Sequence, residues 1–185
     1  MSLNNYVLDK EDTILLIVDV QERLAAIMKE KERVVKNCQH LIALAGMLDI
    51  PIVVTEQYPK GLGRTVAELQ AVVPQYKPIE KTAFNCCGEA AFLPELRRIN
   101  RKKIIMTGME THICVLQTTI GLLQEGYSVY VVEDAVCSRT DGNWKTGIAF
   151  MRDAGAAVTC TETALFQLLK VAGTEEFKTI SQRIK

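Results

Sequence analysis

The sequence predicts a three-layer α/β/α domain on a six-stranded parallel sheet. Two observations carry that expectation. Short apolar runs alternate with segments of helical periodicity along the whole chain, the pattern of repeated strand–helix–strand units. Several runs, TILLIVD first among them, are apolar almost without interruption, as strands covered on both faces must be. With right-handed crossovers and a strand order of 3-2-1-4-5-6, strands one and four lie side by side. Their carboxyl ends then flank the crevice at the switch point. The 185 residues fit a single domain, 1–185.

The first strand is expected over 13–19. A helix follows over 30–48, where Val34, Cys38, Leu41, Ala45 and Leu48 recur at helical spacing and Gly46 and Pro51 bracket the end. The second strand is 51–55. The stretch 56–76, EQYPKGLGRTVAELQAVVPQY, is rich in Gly and Pro and reads as irregular. Within it, Thr65-x-x-Glu68 has the form of a capping box opening a short helix. Further strands are expected over 77–81, 103–108, 127–132 and 156–160, and further helices over 89–99, 112–125, 143–154 and 162–171. Thr174, followed by Glu175 and Glu176, caps a short final helix.

Composition narrows the partners. Lys+Arg and Asp+Glu are balanced at 22 each, so nothing advertises nucleic acid or an anionic membrane. No apolar run approaches the ~20 residues that span a bilayer, and the start, MSLNNYVLDKED, lacks a basic-then-apolar signal pattern. The six cysteines form no C-x-x-C pair and there are two histidines, which argues against a zinc site and for reduced thiols in a cytoplasmic protein. The first strand leads into DVQERL and not into a G-x-G-x-x-G turn, so no dinucleotide cofactor is expected. A small-molecule substrate is the expected partner.

Three residues follow strand ends: Asp19 closes TILLIVD, Lys81 closes KPIEK, and Cys114 lies just beyond KKIIMTG in TGMETHICVLQT. On a parallel sheet these positions share one rim. A carboxylate able to take a proton beside a thiol that must lose one is the arrangement of an activated nucleophile. With Thr111 as N-cap, Cys114 falls in the first turn of a helix, whose free amides lower a thiol pKa and bind an oxyanion. Taken singly, Asp19 is equally well a helix N-cap, Lys81 a solvated strand-end lysine and Cys114 a packed core thiol. His112 lies two residues from Cys114, too close in sequence to face it on a helix, and is expected at the site's mouth or in a subunit contact. His40 reads as structural. Gln21, Tyr58, Phe84 and His112 are the candidate pocket residues, with Trp144 a further apolar wall or a core residue.

The segments DVQERL, TEQYPKGLG, EKTAFN, TGMETHICV and EDAVCSR, in this order and spacing, resemble the isochorismatase-like cysteine hydrolase superfamily, closest to its isochorismatase domain-containing, nicotinamidase-related members. The resemblance implies a catalytic triad of Asp19, Lys81 and Cys114, with Asp19 as proton acceptor and donor. It implies a cis peptide between Met109 and Glu110 that turns the backbone N–H groups of Glu110 and Cys114 toward an oxyanion. It also implies a homo-oligomer. Nicotinamidases carry a histidine-containing metal cluster after the second strand. Here that place holds Glu56-Gln57-Tyr58-Pro59, so no metal is expected. Isochorismatase proper lacks the cysteine, so Cys114 directs the expectation to metal-independent hydrolysis of a small amide or related acyl compound through a thioacyl-enzyme. A non-catalytic binding or scaffold protein on the same fold is the alternative, and a thiol redox protein a weaker one.

Overall fold

The computed structural model describes residues 6–185; the first five residues of the expected domain lie outside the described residues. The strands are β1 (Thr13–Val18), β2 (Ile52–Gln57), β3 (Ile79–Lys81), β4 (Lys103–Met109), β5 (Ser128–Cys137) and β6 (Ala157–Thr159). They form one six-stranded sheet of order β3-β2-β1-β4-β5-β6, with every pair parallel. The helices are α1 (Glu22–Ala25), α2 (Lys31–Met47), α3 (Pro59–Leu62), α4 (Ala67–Gln70), α5 (Phe92–Ile99), α6 (Leu116–Gln124), α7 (Asp141–Asp153), α8 (Thr161–Leu169) and α9 (Glu175–Arg183).

The sheet divides the core in two, because successive side chains of a strand point to opposite faces. From β1, Leu15 and Ile17 join the α2, α8 and α9 side, while Ile14, Leu16 and Val18 join the α5, α6 and α7 side. All six residues of β1 are buried, which places the end of β1, and so Asp19, deep in the molecule.

Several local expectations fail for identifiable reasons. The third strand begins at Ile79 and not at 77. Pro78 has no N–H for the ladder, and Gln75 turns the chain at φ 49°. The fifth strand runs on past 132 to Cys137. Its charged Glu133 and Asp134 conceal this in sequence; the Asp134 carboxylate accepts from Thr161 N and Oγ1, both at 2.8 Å, tying β5 to the start of α8. The capping box at 65–68 does not form: α4 starts after Val66 with no side-chain cap. Thr65 instead donates its backbone N–H and its Oγ1 to Glu56 Oε1, at 2.7 and 3.0 Å. The helix expected over 112–125 is divided into a π-helical turn, Thr111–Val115, and α6. The final helix is capped as expected, Thr174 Oγ1 accepting from Phe177 N at 3.1 Å.

Candidate active site

The carboxyl ends of β1, β2, β3 and β4 converge on a buried ion pair. Asp19 follows β1 in a left-handed turn, φ 53°, a region disfavoured for any residue with a Cβ. Its residue accessibility is 0%, a costly place for a carboxylate unless its charge and lone pairs are met. They are met twice. Lys81 Nζ stands 2.7 Å from Oδ2, and Thr55 Oγ1 donates to Oδ1 at 2.7 Å. Lys81 arrives from the neighbouring short strand, with its side chain 0% exposed. Its ammonium also donates to Gln57 Oε1 at 2.6 Å and reaches the carbonyl oxygens of Ala83 and Phe84 at 3.1 and 3.3 Å. Burial alone pulls the lysine pKa down. The Asp19 charge, with smaller contributions from Cys86 and Cys114, outweighs it, and the net direction is upward. Lys81 is therefore held as the cation.

Cys114 comes from the other side of the crevice. Gly108, near the end of β4, has φ +126°, and a Cβ there would lie 2.0 Å from the Val18 carbonyl oxygen. Only glycine lets β4 and β1 approach so closely at the rim. The Met109–Glu110 peptide that follows is cis, and the chain enters the π-helical turn that carries Cys114. Gly147 of α7 packs onto this turn, its would-be Cβ 3.0 Å from the Thr111 carbonyl. Thr111 is not the expected N-cap: Glu110 occupies that position, with no side-chain cap, and Thr111 Oγ1 is buried without a partner. Cys114 therefore does not sit in the first turn of an ordinary α-helix. Its thiol pKa is also not lowered as expected. Burial pushes it well up, and the Asp19 carboxylate adds to this as a nearby charge and as hydrogen-bond acceptor, with Lys81 opposing. Burial and the nearby Asp19 charge thus both favour the protonated thiol.

The structure thus gathers Asp19, Lys81 and Cys114. The pocket candidates part company. Tyr58 (54% exposed) and Phe84 (53% exposed) stand at the rim. His112 Nδ1 lies 2.9 Å from Ser138 Oγ. Gln21 does not line an open pocket: it is fully buried and spends its carboxamide on backbone groups of Gln57 and Gly63. Trp144 donates to the Glu133 carbonyl at 3.2 Å and packs on the second core. His40 is buried on α2, away from this rim, and burial lowers its pKa.

A model of the isochorismatase domain matches residues 13–163. The chain belongs to the isochorismatase family. It is 36% identical to the isochorismatase domain-containing protein 2A of Mus musculus over 176 residues, 95% of this chain and 84% of the relative. It is 37% identical to the secreted isochorismatase effector Isc1 of Phytophthora sojae over 182 residues, 94% of this chain and 84% of the relative. Among solved structures, the MAR1 ribonuclease of Caenorhabditis elegans superposes with a TM-score of 0.89 at 35% identity, over 96% of this chain and 92% of that one. YcaC from Pseudomonas aeruginosa, solved with hexane-2,5-diol and covalent acrylamide, gives a TM-score of 0.90 at 26% identity, over 96% and 91%.

Glu56, near the end of β2, is turned away from Lys81: Oε1 accepts from Thr65 and Tyr76, and the buried Oε2 has no hydrogen-bond partner and lies 3.7 Å from the Arg64 guanidinium. Among the described residues, no group of three or more His, Cys, Asp or Glu side chains is arranged to hold a metal ion. No helix among them is long and apolar enough to cross a membrane.

Three site residues escape a reading by sequence. Thr55 and Gln57 are ordinary strand polar residues until the register of β2 against β1 and β3 is known. Cys86, a buried thiol 3.9 Å from Thr55 Oγ1, has its pKa pushed up to about 11 by burial and then by Asp19. Nothing in its local sequence separates it from the other cysteines. Size alone does not mark the site either. A groove of about 1060 Å³ lies along the outer edge of β2, lined by Ile52, Val54, Lys77, Ile79 and Arg98 among others, and none of the triad lines it.

Proposed function

We propose that this protein is a metal-independent cysteine hydrolase of small amides or related acyl compounds. The observation that carries the reading is one buried carboxylate, Asp19, paired with the Lys81 ammonium at 2.7 Å and near enough to Cys114 for its charge to push the thiol pKa up. A neutral thiol beside a carboxylate becomes a nucleophile when an electrophile reaches it, because the carboxylate can take the proton as sulfur bonds. The Cys114 proton then passes to Asp19 as sulfur bonds to the carbonyl carbon. The carbonyl π electrons move onto oxygen, and the backbone N–H groups of Glu110 and Cys114 receive the oxyanion. As the tetrahedral species collapses, Asp19 returns the proton to the departing amine or ammonia and leaves a thioacyl-enzyme. Water, deprotonated by Asp19, releases the acid and restores the thiol. Lys81 takes no proton in this scheme; its ammonium stays paired with the Asp19 carboxylate at 2.7 Å.

The burial of the site supports a small substrate. Cys114 is 5% exposed, so a bulky chain has no path to the sulfur without rearrangement. Tyr58 and Phe84 would form the apolar lip that the substrate crosses, with His112 beside it. The YcaC relative bearing covalent acrylamide fits a reactive nucleophile on this fold. The MAR1 neighbour is named a ribonuclease, but phosphodiester cleavage at this site would need cations free to hold phosphate, and the Lys81 ammonium is already surrounded by oxygen acceptors. A homo-oligomer and a cytoplasmic location belong to the same proposal.

The deciding experiment is ammonia release across a panel of small primary amides, with Cys114→Ala as control. Release that depends on Cys114 and survives chelation and dialysis supports the reading. Turnover that persists in Cys114→Ala, or that requires an added divalent metal, overturns it. A defined RNA incubated beside the panel tests the ribonuclease reading directly.

A further inference from the structure

Of the Lys81 contacts that the proposed chemistry does not use, the shortest, and the one made to a side chain, is the 2.6 Å hydrogen bond to Gln57 Oε1. We propose that Gln57, braced by Gln21, is a positioning residue for the Lys81–Asp19 pair. The inference rests on the hydrolase reading above and assigns work to two residues outside the triad.

Strand geometry sets the arrangement. β2 and β3 pair with Gln57 directly beside Lys81. Side chains at i and i+2 of a strand share a face, so Thr55 and Gln57 both turn to the site, while Glu56 between them turns to Thr65 and Tyr76. One strand thereby grips both members of the ion pair. Thr55 holds the carboxylate at Oδ1, and Gln57 holds the ammonium.

The Gln57 carboxamide has a single workable orientation. Its Oε1 accepts from Lys81, and its Nε2 donates to the Thr82 carbonyl at 2.8 Å. A flipped amide would set N–H groups against an ammonium and one carbonyl against another. The backbone of Gln57 is gripped in turn. Its N–H donates to Gln21 Oε1 at 2.7 Å, and its carbonyl accepts from Gln21 Nε2 at 3.0 Å. Gln21 Nε2 also donates to the Gly63 carbonyl at 2.7 Å, so the brace extends into the irregular loop after β2. Both glutamines are buried, and their polar atoms are committed to protein partners, which leaves them no free group for a substrate.

The ammonium has three protons. Asp19 and Gln57 take the two short bonds, and the two backbone carbonyls lie farther out at 3.1 and 3.3 Å. Without Gln57, Lys81 loses the neutral acceptor that aims it. With a carboxylate in that place, a second anion competes for the lysine, and the added negative charge opposes ionisation of the Cys114 thiol.

The test follows the rate of iodoacetamide labelling of Cys114 by peptide mass spectrometry, from about pH 6 to 10, in the full-length wild type, Gln57→Glu and Gln57→Met. This probe needs no knowledge of the substrate. Gln57→Glu is isosteric and is expected to displace the pH profile upward by about one unit, an approximately tenfold slower labelling at a given pH. Gln57→Met is expected to slow labelling several-fold at every pH while thermal unfolding stays cooperative. A purely structural role would leave the profile of any folded variant in place. If wild-type Cys114 labels readily and both profiles superimpose on it, the positioning inference is overturned and the hydrolase reading stands. If wild-type Cys114 labels no faster than the buried core cysteines at any pH, the nucleophile reading fails and the positioning role fails with it. Should Gln57→Met not fold, Gln57→Glu alone decides.

Discussion

The two halves of the active-site rim are built on opposite principles. On the β1–β2–β3 side, the charged and polar groups that matter are each held by named partners: Asp19 by Lys81 and Thr55, Lys81 by Gln57, and Gln57 by Gln21. On the β4 side, the path of the backbone does most to place the thiol, with Glu110 Oε2 tied to Arg139 N and Nε at 3.1 and 3.0 Å. A strand end that admits only glycine leads through a cis peptide to a π-helical turn, and a buried hydroxyl in that turn, Thr111 Oγ1, has no partner. The difference teaches where precision is needed. Charges in a dry site demand satisfied hydrogen bonds, since an unmatched one costs several kcal/mol. A neutral thiol demands only a position.

The largest break of this comparison is chemical. Asp19→Asn keeps the shape but cannot accept the thiol proton, and it is expected to lower turnover of any confirmed substrate by about two to four orders of magnitude. Near-normal turnover in that variant would remove Asp19 from the mechanism. Lys81→Met comes next and acts on stability as well. It leaves the Asp19 carboxylate buried without its counter-ion, for which the expected cost is about 3–5 kcal/mol, a fall in Tm on the order of 10 °C for a domain of this size. A calorimetric scan that finds no loss would mean that the pair is not buried in solution.

Two threonines sharpen the contrast at smaller scale. Thr55→Val removes a donor to a buried carboxylate and is expected to cost about 1.5–3 kcal/mol. Thr111→Val removes an unpartnered hydroxyl and is expected to be neutral or slightly stabilising. Denaturant unfolding of the pair checks this, and equal costs would erase the claimed asymmetry. The smallest effect is alkaline. The folded Cys114 pKa lies above its unfolded value, so its contribution is complete below the unfolded pKa. Above it, the unfolded state loses the proton first and stability falls as pH rises. Cys114→Ala should therefore flatten the alkaline stability slope by at most ~1.4 kcal/mol per pH unit. A steeper slope in the variant would reverse the sign argued for the thiol.

Legibility in the sequence follows the same divide. Asp19, Lys81 and Cys114 were readable because buried parallel strands announce their ends as apolar runs, and strand ends share a rim. The strand order follows the doubly wound pattern that strand–helix alternation suggests, and the sheet has it. What was not readable depends on pairing or on rare backbone. Gln21 looked like a pocket residue because nothing local reveals that its partners lie on β2 and in the loop at Gly63. Thr65 fits a capping pattern in sequence, but the fold sets Glu56 beside it, and Glu56 takes both its donors. Thr111 fitted the N-cap pattern, which says nothing of a π-helical turn. The Cys114 pKa departs from the expected lowering for an electrostatic reason: helix amides alone favour a thiolate, but burial and then the adjacent Asp19 carboxylate dominate.

The central claim is that Cys114 sulfur bonds to the substrate carbonyl. Acid quenching of the enzyme during turnover of a reactive small amide or ester, followed by peptide mass spectrometry, tests it most directly. The account predicts an acyl adduct on the Cys114 peptide in wild type, accumulating ahead of steady state and absent from Cys114→Ala. Full turnover with no adduct on Cys114, or an adduct carried by another residue, would contradict it.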